Sequence, residues 1–442
     1  MHALSHRVTA AELVARTGHV VAVRGHLVES IGPVAQIGEL CRIEATQDRE
    51  AISAEVVGFS RGATLLMPLG SIEGVSMGAR VMALGRLPDV PVGVELLGRV
   101  VDAFGSPVDD GPPIDLAERR SLRARPLRAM QRGRVDTPLP TGVKVIDSML
   151  GLARGQRIGL FAGSGVGKSS LMGMMARGTR ASVNVIALIG ERSREVREFV
   201  EDQLGEDGLR RSVIVVATAD EPAVVRVKAA YAATSIAEYF RDRGDDVLLM
   251  MDSLTRFAMA RREIGLAAGE PPTARGYTAS VFTELPQLCE RSGTGTGKGS
   301  ITGVYTVLVD GDDMSEPVSD TLRATLDGHI VLSREIANSG QYPAVDVLQS
   351  VSRLHNTLST PGDQVAARKV LACCALFERN RQLIEIGAYK PGVSKALDRA
   401  VKVMPRIQEF LTQSLDQPCA REQSLALLKQ LASLLGDEHE FA

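Results

Sequence analysis

Residues 161–170 read FAGSGVGKSS, three glycines within five residues closed by a lysine and two serines. Glycines let a chain curl until successive backbone N–H groups face one concavity, and a helix starting there adds the partial positive charge of its N-terminus. The register AGSGVGKS over 162–169 follows the strand-like run RIGLF and precedes the helix-like run SLMGMMARG. It departs from the strict P-loop pattern only in its first Ala. The expectation is a phosphate cradle made by Gly163, Ser164, Gly165, Val166, Gly167, Lys168, Ser169 and Ser170. In it Lys168 would reach the β- and γ-phosphates and the Ser169 hydroxyl would ligate Mg²⁺.

A phosphate cradle binds nucleotide without hydrolysing it. Hydrolysis also needs a carboxylate for the metal and a group that polarises the attacking water. The run VLLMMD ends on Asp252, and in α/β sheets ligands bind at the carboxyl ends of the strands. VIALIGERSRE sets Glu191 and Arg192 directly after another strand end. A helix-capping Asp or a surface Glu-Arg pair would leave the same traces, so pattern alone holds both readings open.

These groups need a sheet to position them. RIGLFA, VNVIALIG, VIVVAT, VLLMMD, ITGVYTVLV and HIVLS are apolar, β-branched runs without alternation, as expected of parallel strands buried on both faces, with helices between them, the clearest over 223–243. Before them VVAVRG, LCRIEA, ISAEVVGF, ATLLMPLG and RVMALG are short strand candidates cut by Gly, Pro and charge, the spacing of a small barrel. After residue 364 Leu-rich segments of helical period take over, around 365–384, 393–415 and 422–435. The organisation expected is an N-terminal segment over 1–18, a barrel over 19–90 that serves oligomerisation, a linker over 91–142, a P-loop α/β domain over 143–360 and a helical domain over 361–442. Five arginines between positions 119 and 128 read as a linker packing on a neighbouring domain, since no aromatic is interleaved for base stacking. Thr9 and Glu12 form a capping-box pattern for a short helix over 10–16, and GTGTGKGS over 293–300 reads as a flexible loop.

Composition narrows the classes. A 442-residue chain that is 44% hydrophobic can bury at least one large core. Its 51 basic and 53 acidic residues cancel, so no overall field draws it to nucleic acid or an anionic membrane. Five cysteines without CxxC or Cys/His spacing read as reduced, buried thiols. No apolar run approaches the roughly 20 residues of a spanning helix, and the N-terminus lacks a signal-peptide pattern; the expected compartment is the cytoplasm.

Taken in order, TPLPTGVKVIDSML, AGSGVGKSSL, GERSREVREF, LLMMDSLTRFA, LDGHIVLSREIA and QYPAVDVLQSVSR resemble the catalytic-subunit family of rotary ATPases. Within it the chain is most similar to the ATPases of type III protein export, flagellar or virulence, with the flagellar version favoured. The resemblance spans nearly the whole chain and implies a RecA-like core, Mg²⁺-dependent ATP hydrolysis and a homohexameric ring. It implies that Glu191 polarises the attacking water, with Arg192 beside it near the γ-phosphate, and that Asp252 holds the Mg²⁺ shell. It also implies that Arg256 is a second phosphate-side arginine, Arg353 a finger entering the adjacent subunit's site, and Tyr342 an aromatic of the adenine pocket. The partners implied are a stator or regulator, a central stalk, the export gate at the inner-membrane face and chaperone–substrate complexes. The work implied is release of chaperones and unfolding of secretion substrates. By resemblance the acidic stretch DGDDMSEPVSD, 310–320, faces the ring's pore, with Met314 suited to varied apolar partners, although a solvated acidic turn fits it equally.

Two other readings compete. A rotary ATP synthase or proton-pump subunit would share the motifs but requires a second, non-catalytic chain. An RNA-tracking hexamer needs sheet-face aromatics, and the first 100 residues hold only Phe59.

Overall fold

The computed structural model describes residues 15–45, 50–309 and 313–436. The helix expected over 10–16 falls on residues outside these up to 14, as do residues 310–312 of the acidic stretch. The first six strands, β1 (Thr17–Arg24), β2 (Leu27–Ile31), β3 (Leu40–Ile43), β4 (Ile52–Ser60), β5 (Ala63–Pro68) and β6 (Arg80–Ala83), close into an antiparallel barrel in the order β1-β2-β5-β4-β3-β6. Alternate positions point inward, so Val20, Val28, Cys41, Ile43, Val56, Leu66 and Val81 make its core. Closure leaves no sheet edge open to stray pairing.

The segment read as a linker is tied down along its length. β7 (Asp89–Pro91) pairs with β9 (Arg119–Ser121), and β8 (Arg99–Val101) joins the main sheet beside residues 213–215. Of the five arginines between 119 and 128, three are paired: Arg119 with Asp89 at 2.8 Å, Arg120 with Asp242 at 2.6 Å and Arg123 with Glu55 of the barrel at 3.0 Å.

The main sheet contains β10 (Arg157–Ala162), β11 (Val183–Ile189), β12 (Ser212–Ala217), β13 (Asp246–Asp252), β14 (Gly293–Thr294), β15 (Ser300–Leu308), β16 (Gly328–Leu332) and β17 (Val351–Ser352). Its order is β17-β16-β10-β15-β13-β11-β12-β8, parallel from β16 to β8, with β17 antiparallel at one edge and β14 antiparallel on β15. The strands lack alternation because both faces are covered. Phe161, Val185, Val215, Leu249 and Tyr305 face one core. Ile158, Leu160, Ile186, Leu248 and Ile330 face the other.

Helices α1 (Lys168–Gly178), α2 (Ser193–Glu198), α3 (Gly205–Arg210), α4 (Ala223–Asp242), α5 (Leu254–Ala267), α6 (Ala279–Glu290), α7 (Pro317–Thr325) and α8 (Arg334–Asn338) lie between these strands. α4 buries almost its whole length: small Ala side chains at 229, 230, 232, 233 and 237 let it lie close on the sheet. The C-terminal domain is α9 (Pro361–Glu385), opened by a Thr360/Asp363 capping box, then α10 (Lys395–Leu411) and α11 (Arg421–Ser433). All five cysteines are unpaired, four of them buried. Among the described residues no helix is long and apolar enough to cross a membrane.

Candidate active site

The chemistry gathers at the carboxyl ends of three parallel strands, β10, β13 and β11, with β15 between the first two. β10 leads into the glycine loop and α1, β11 leads through Gly190 to Glu191, and β13 ends on Asp252. Gly165 and Gly167 turn the loop with φ of +76° and +88°, a region open to glycine but strained for other residues. A Cβ at Gly167 would also stand 3.4 Å from the Tyr342 ring. Among the described residues the amides of Ser164, Gly165 and Gly167 donate to no group of the chain, which leaves them for an anion.

Lys168, the first residue of α1, reaches across to both carboxylates: its Nζ lies 2.5 Å from Asp252 Oδ1 and 3.5 Å from Glu191 Oε1. Asp252 also accepts from Thr306 Oγ1 at 2.7 Å, and it is 3% exposed. Burial works against the Lys168 ammonium, yet the Asp252 and Glu191 carboxylates outweigh it and hold its pKa above the ordinary lysine value. Glu191 is pushed up to about 7, first by burial, then by the neighbouring Asp252 and Glu195 carboxylates acting against Lys168. A general base whose pKa lies near neutrality is matched to proton traffic at working pH.

Two arginines flank the cluster differently. Arg256 follows the Ser253 cap of α5, and its chain passes over Gly190, where an added Cβ would stand 3.1 Å from Arg256 Cβ. Its Nε is buried without a hydrogen-bond partner among the described residues. A guanidinium held this way is missing an acceptor, and a phosphate oxygen would supply one. Arg192 is 80% exposed and pairs with Glu195 at 3.6 Å, so it does not join the Lys168 cluster.

Tyr342 lies half-exposed against the loop, and its carbonyl accepts from the amide of Gln413 at 2.9 Å. Arg353 stands elsewhere. It follows β17, and its amide donates to the carbonyl of Asp327 just before β16, the amino end of that strand. Asp327 in turn accepts from the amide of Arg157 at the amino end of β10. β10 spans five residue steps, roughly 16 Å at about 3.3 Å each, so Arg353 and the glycine loop occupy opposite ends of the sheet. The Arg353 side chain is exposed and has no ion pair or hydrogen bond among the described residues. In the acidic stretch, Asp313 pairs with Arg275 at 2.7 Å and Met314 packs half-buried against the core.

Sequence reasoning missed three polar residues here. Glu195 is a neighbouring carboxylate that helps raise the pKa of Glu191. Gln413 ties the C-terminal domain to the site, its Nε2 donating to Gly142 O at 2.8 Å and its Oε1 accepting from Lys144 N at 2.7 Å. Thr306 braces Asp252. Of these, only Glu195 carried a signal in the chain, as an acid one helical turn beyond Glu191.

The residues fit a nucleotide with its metal: free loop amides, one ammonium, an Arg nitrogen lacking an acceptor, and a hydroxyl and a carboxylate, Ser169 and Asp252, of the hard-oxygen type that Mg²⁺ takes.

Comparison with known proteins agrees. Residues 142–352 match the nucleotide-binding domain of the ATP synthase alpha/beta family, residues 20–85 its beta-barrel domain, and residues 359–430 the T3SS EscN ATPase C-terminal domain. The chain is 52% identical over 424 residues to the flagellum-specific ATP synthase of Bacillus subtilis, covering 96% of each. It is 50% identical over 413 residues to the type 3 secretion system ATPase of Xanthomonas euvesicatoria, covering 93% of each. The assembled ATPase EscN of enteropathogenic E. coli superposes with a TM-score of 0.89 at 40% identity, covering 94% of this chain and 100% of that one. The same ATPase in complex with its central stalk EscO superposes at 0.86, with the same identity and coverage.

Proposed function

We propose that this chain, which belongs to the ATP synthase alpha/beta family, hydrolyses ATP as the ring-forming ATPase of type III protein export. Flagellum-specific and type 3 secretion relatives stand at 52% and 50% identity, and the proposal covers the export activity the two share. The EscN-type C-terminal domain favours export over a rotary synthase. The observation that carries the activity is the placement of Lys168 between Asp252 and Glu191 at the open end of the sheet.

Each side chain has a task that follows from its position. The loop amides and Lys168 hold the phosphate chain. Ser169 and Asp252 would hold Mg²⁺, which would supply positive charge against the phosphate chain. When Lys168 turns to phosphate, Glu191 is released to orient and polarise a water. Arg256, behind Gly190, receives charge on the γ-oxygens, Arg192 swings in beside Glu191, and Tyr342 covers the base. Arg353 faces away from its own site, so it serves an adjoining protomer. That makes the functional unit a ring, six like chains with their barrels at one end, and each site incomplete until a neighbour docks.

As with EscN and its stalk EscO, we assign a central stalk as partner, together with a stator, the export gate and chaperone-bound substrates. The protein works in the cytoplasm at the face of the inner membrane. Glu191→Gln tests the activity: the variant should bind ATP·Mg with near wild-type affinity while turnover falls at least about 100-fold. Near-normal turnover would remove Glu191 from the chemistry.

A further inference from the structure

The base of the Arg353 finger is fastened to the strand that carries the glycine loop. Gln156, the residue before β10, is fully buried. Its Oε1 accepts from the Ala153 amide at 2.9 Å and its Nε2 donates to Ser352 Oγ at 3.1 Å. Ser352 Oγ then donates to the carbonyl of Gly151 at 3.1 Å. The next amide, that of Arg353 itself, is held by the Asp327 carbonyl at 3.0 Å, and Asp327 Oδ2 accepts from the Arg157 amide at 2.9 Å. Gly328 admits no side chain, since an added Cβ would lie 2.4 Å from the Val351 carbonyl oxygen, so β17 sits tight on β16. The chain leading into Arg353 is thus tied to Gln156, just before β10, and to Arg157, its first residue, and only the guanidinium is left loose.

We infer that Gln156 is a positioning residue for catalysis in the adjoining protomer. It aims Arg353 through Ser352 and touches no nucleotide itself. This rests on the reading that Arg353 acts in trans. A two-residue strand such as β17 has too few ladder bonds to hold a finger still, and Gln156 supplies the missing fixed point. Because its strand ends in the glycine loop, one rigid element connects the phosphate site a protomer owns to the finger it lends.

Gln156→Leu keeps the volume and removes both hydrogen bonds. The expected result is a fall in kcat on the order of 100-fold, the usual cost of displacing a catalytic group by an ångström, with KM for ATP within about twofold because the loop is untouched. Mixing the variant 1:1 with Lys168→Ala should restore activity to about a quarter of wild type, since that fraction of boundaries pairs an intact loop with a well-held finger. A residue needed only for its own protomer's fold would give no such rescue. Ser352→Ala breaks the same bond from the other side and is measured in parallel, so that a poorly folding Gln156 variant leaves the test standing. Arg353→Ala mixed with Lys168→Ala is the control. If that control recovers while neither the Gln156 nor the Ser352 variant does, or if both variants keep full kcat, Gln156 has no part in aiming the finger. If the control itself stays inactive, the in-trans reading falls first.

Discussion

The pH dependence of turnover follows from how Glu191 is housed. Burial and the nearby Asp252 and Glu195 carboxylates penalise its charged form, and Lys168 offsets only part of this, which puts its pKa at about 7. The water-polarising form is the ionised one. A raised carboxyl pKa therefore removes activity on the acid side: at pH 6 only about a tenth of the site is ionised, against nearly all of it for a glutamate with an ordinary pKa. We expect kcat/KM, which reports the free enzyme, to fall about tenfold per pH unit below 7 in a coupled ATPase assay run from pH 5.5 to 8.5. Glu195→Gln takes away a neighbouring carboxylate that helps raise the Glu191 pKa. Each variant normalised to its own plateau, the acid limb of Glu195→Gln should lie at lower pH than that of the wild type. A profile flat from 5.5 to 8.5, or a limb that Glu195→Gln leaves in place, would show that Glu191 is not the titrating base.

Three further outcomes are expected. Arg353→Ala should lower kcat by a factor on the order of 10³ or more, the worth of an arginine finger, with ATP affinity retained in a fluorescent-nucleotide titration; a loss under tenfold would deny it that role. Glu55→Ala should cost about 3–5 kcal/mol in urea unfolding, because Lys228, 4% exposed and ion-paired to Glu55 across the barrel boundary, is left as a buried lone charge. Replacing both as Glu55→Leu/Lys228→Met should recover most of that, and a single-variant cost below about 1 kcal/mol would show that the pair is not effectively buried. Gly167→Ala should weaken nucleotide binding through strain at φ +88° and crowding of Tyr342, visible as a raised Kd by calorimetry; an unchanged Kd would mean that the loop relaxes freely.

Much of this molecule is legible in its chain because the strong signals are local. The glycine spacing, the lysine and the unbroken apolar runs each lie within ten residues, and each corresponds to one strand, turn or helix start. What escaped is set by partners distant in sequence. β8 and β17 have three and two residues, too short for any periodicity, yet one extends the sheet and the other leads into Arg353. Gln156 meets Ser352 across 196 positions and Gln413 meets Gly142 across 271, and nothing near either residue marks it. Arg192 is the instructive case: motif position sets it by the γ-phosphate, whereas the folded chain holds it in solvent against Glu195. Reaching phosphate then requires that pair to open.

The central claim is that a protomer cannot complete its own site. The most direct measurement is specific ATPase activity across a dilution series with molar mass recorded on the same samples by light scattering. Activity per protomer should follow the assembled fraction and vanish with it, while Arg353→Ala stays inactive at concentrations where it assembles. Monomers that hydrolyse ATP at the rate of the ring would contradict the account.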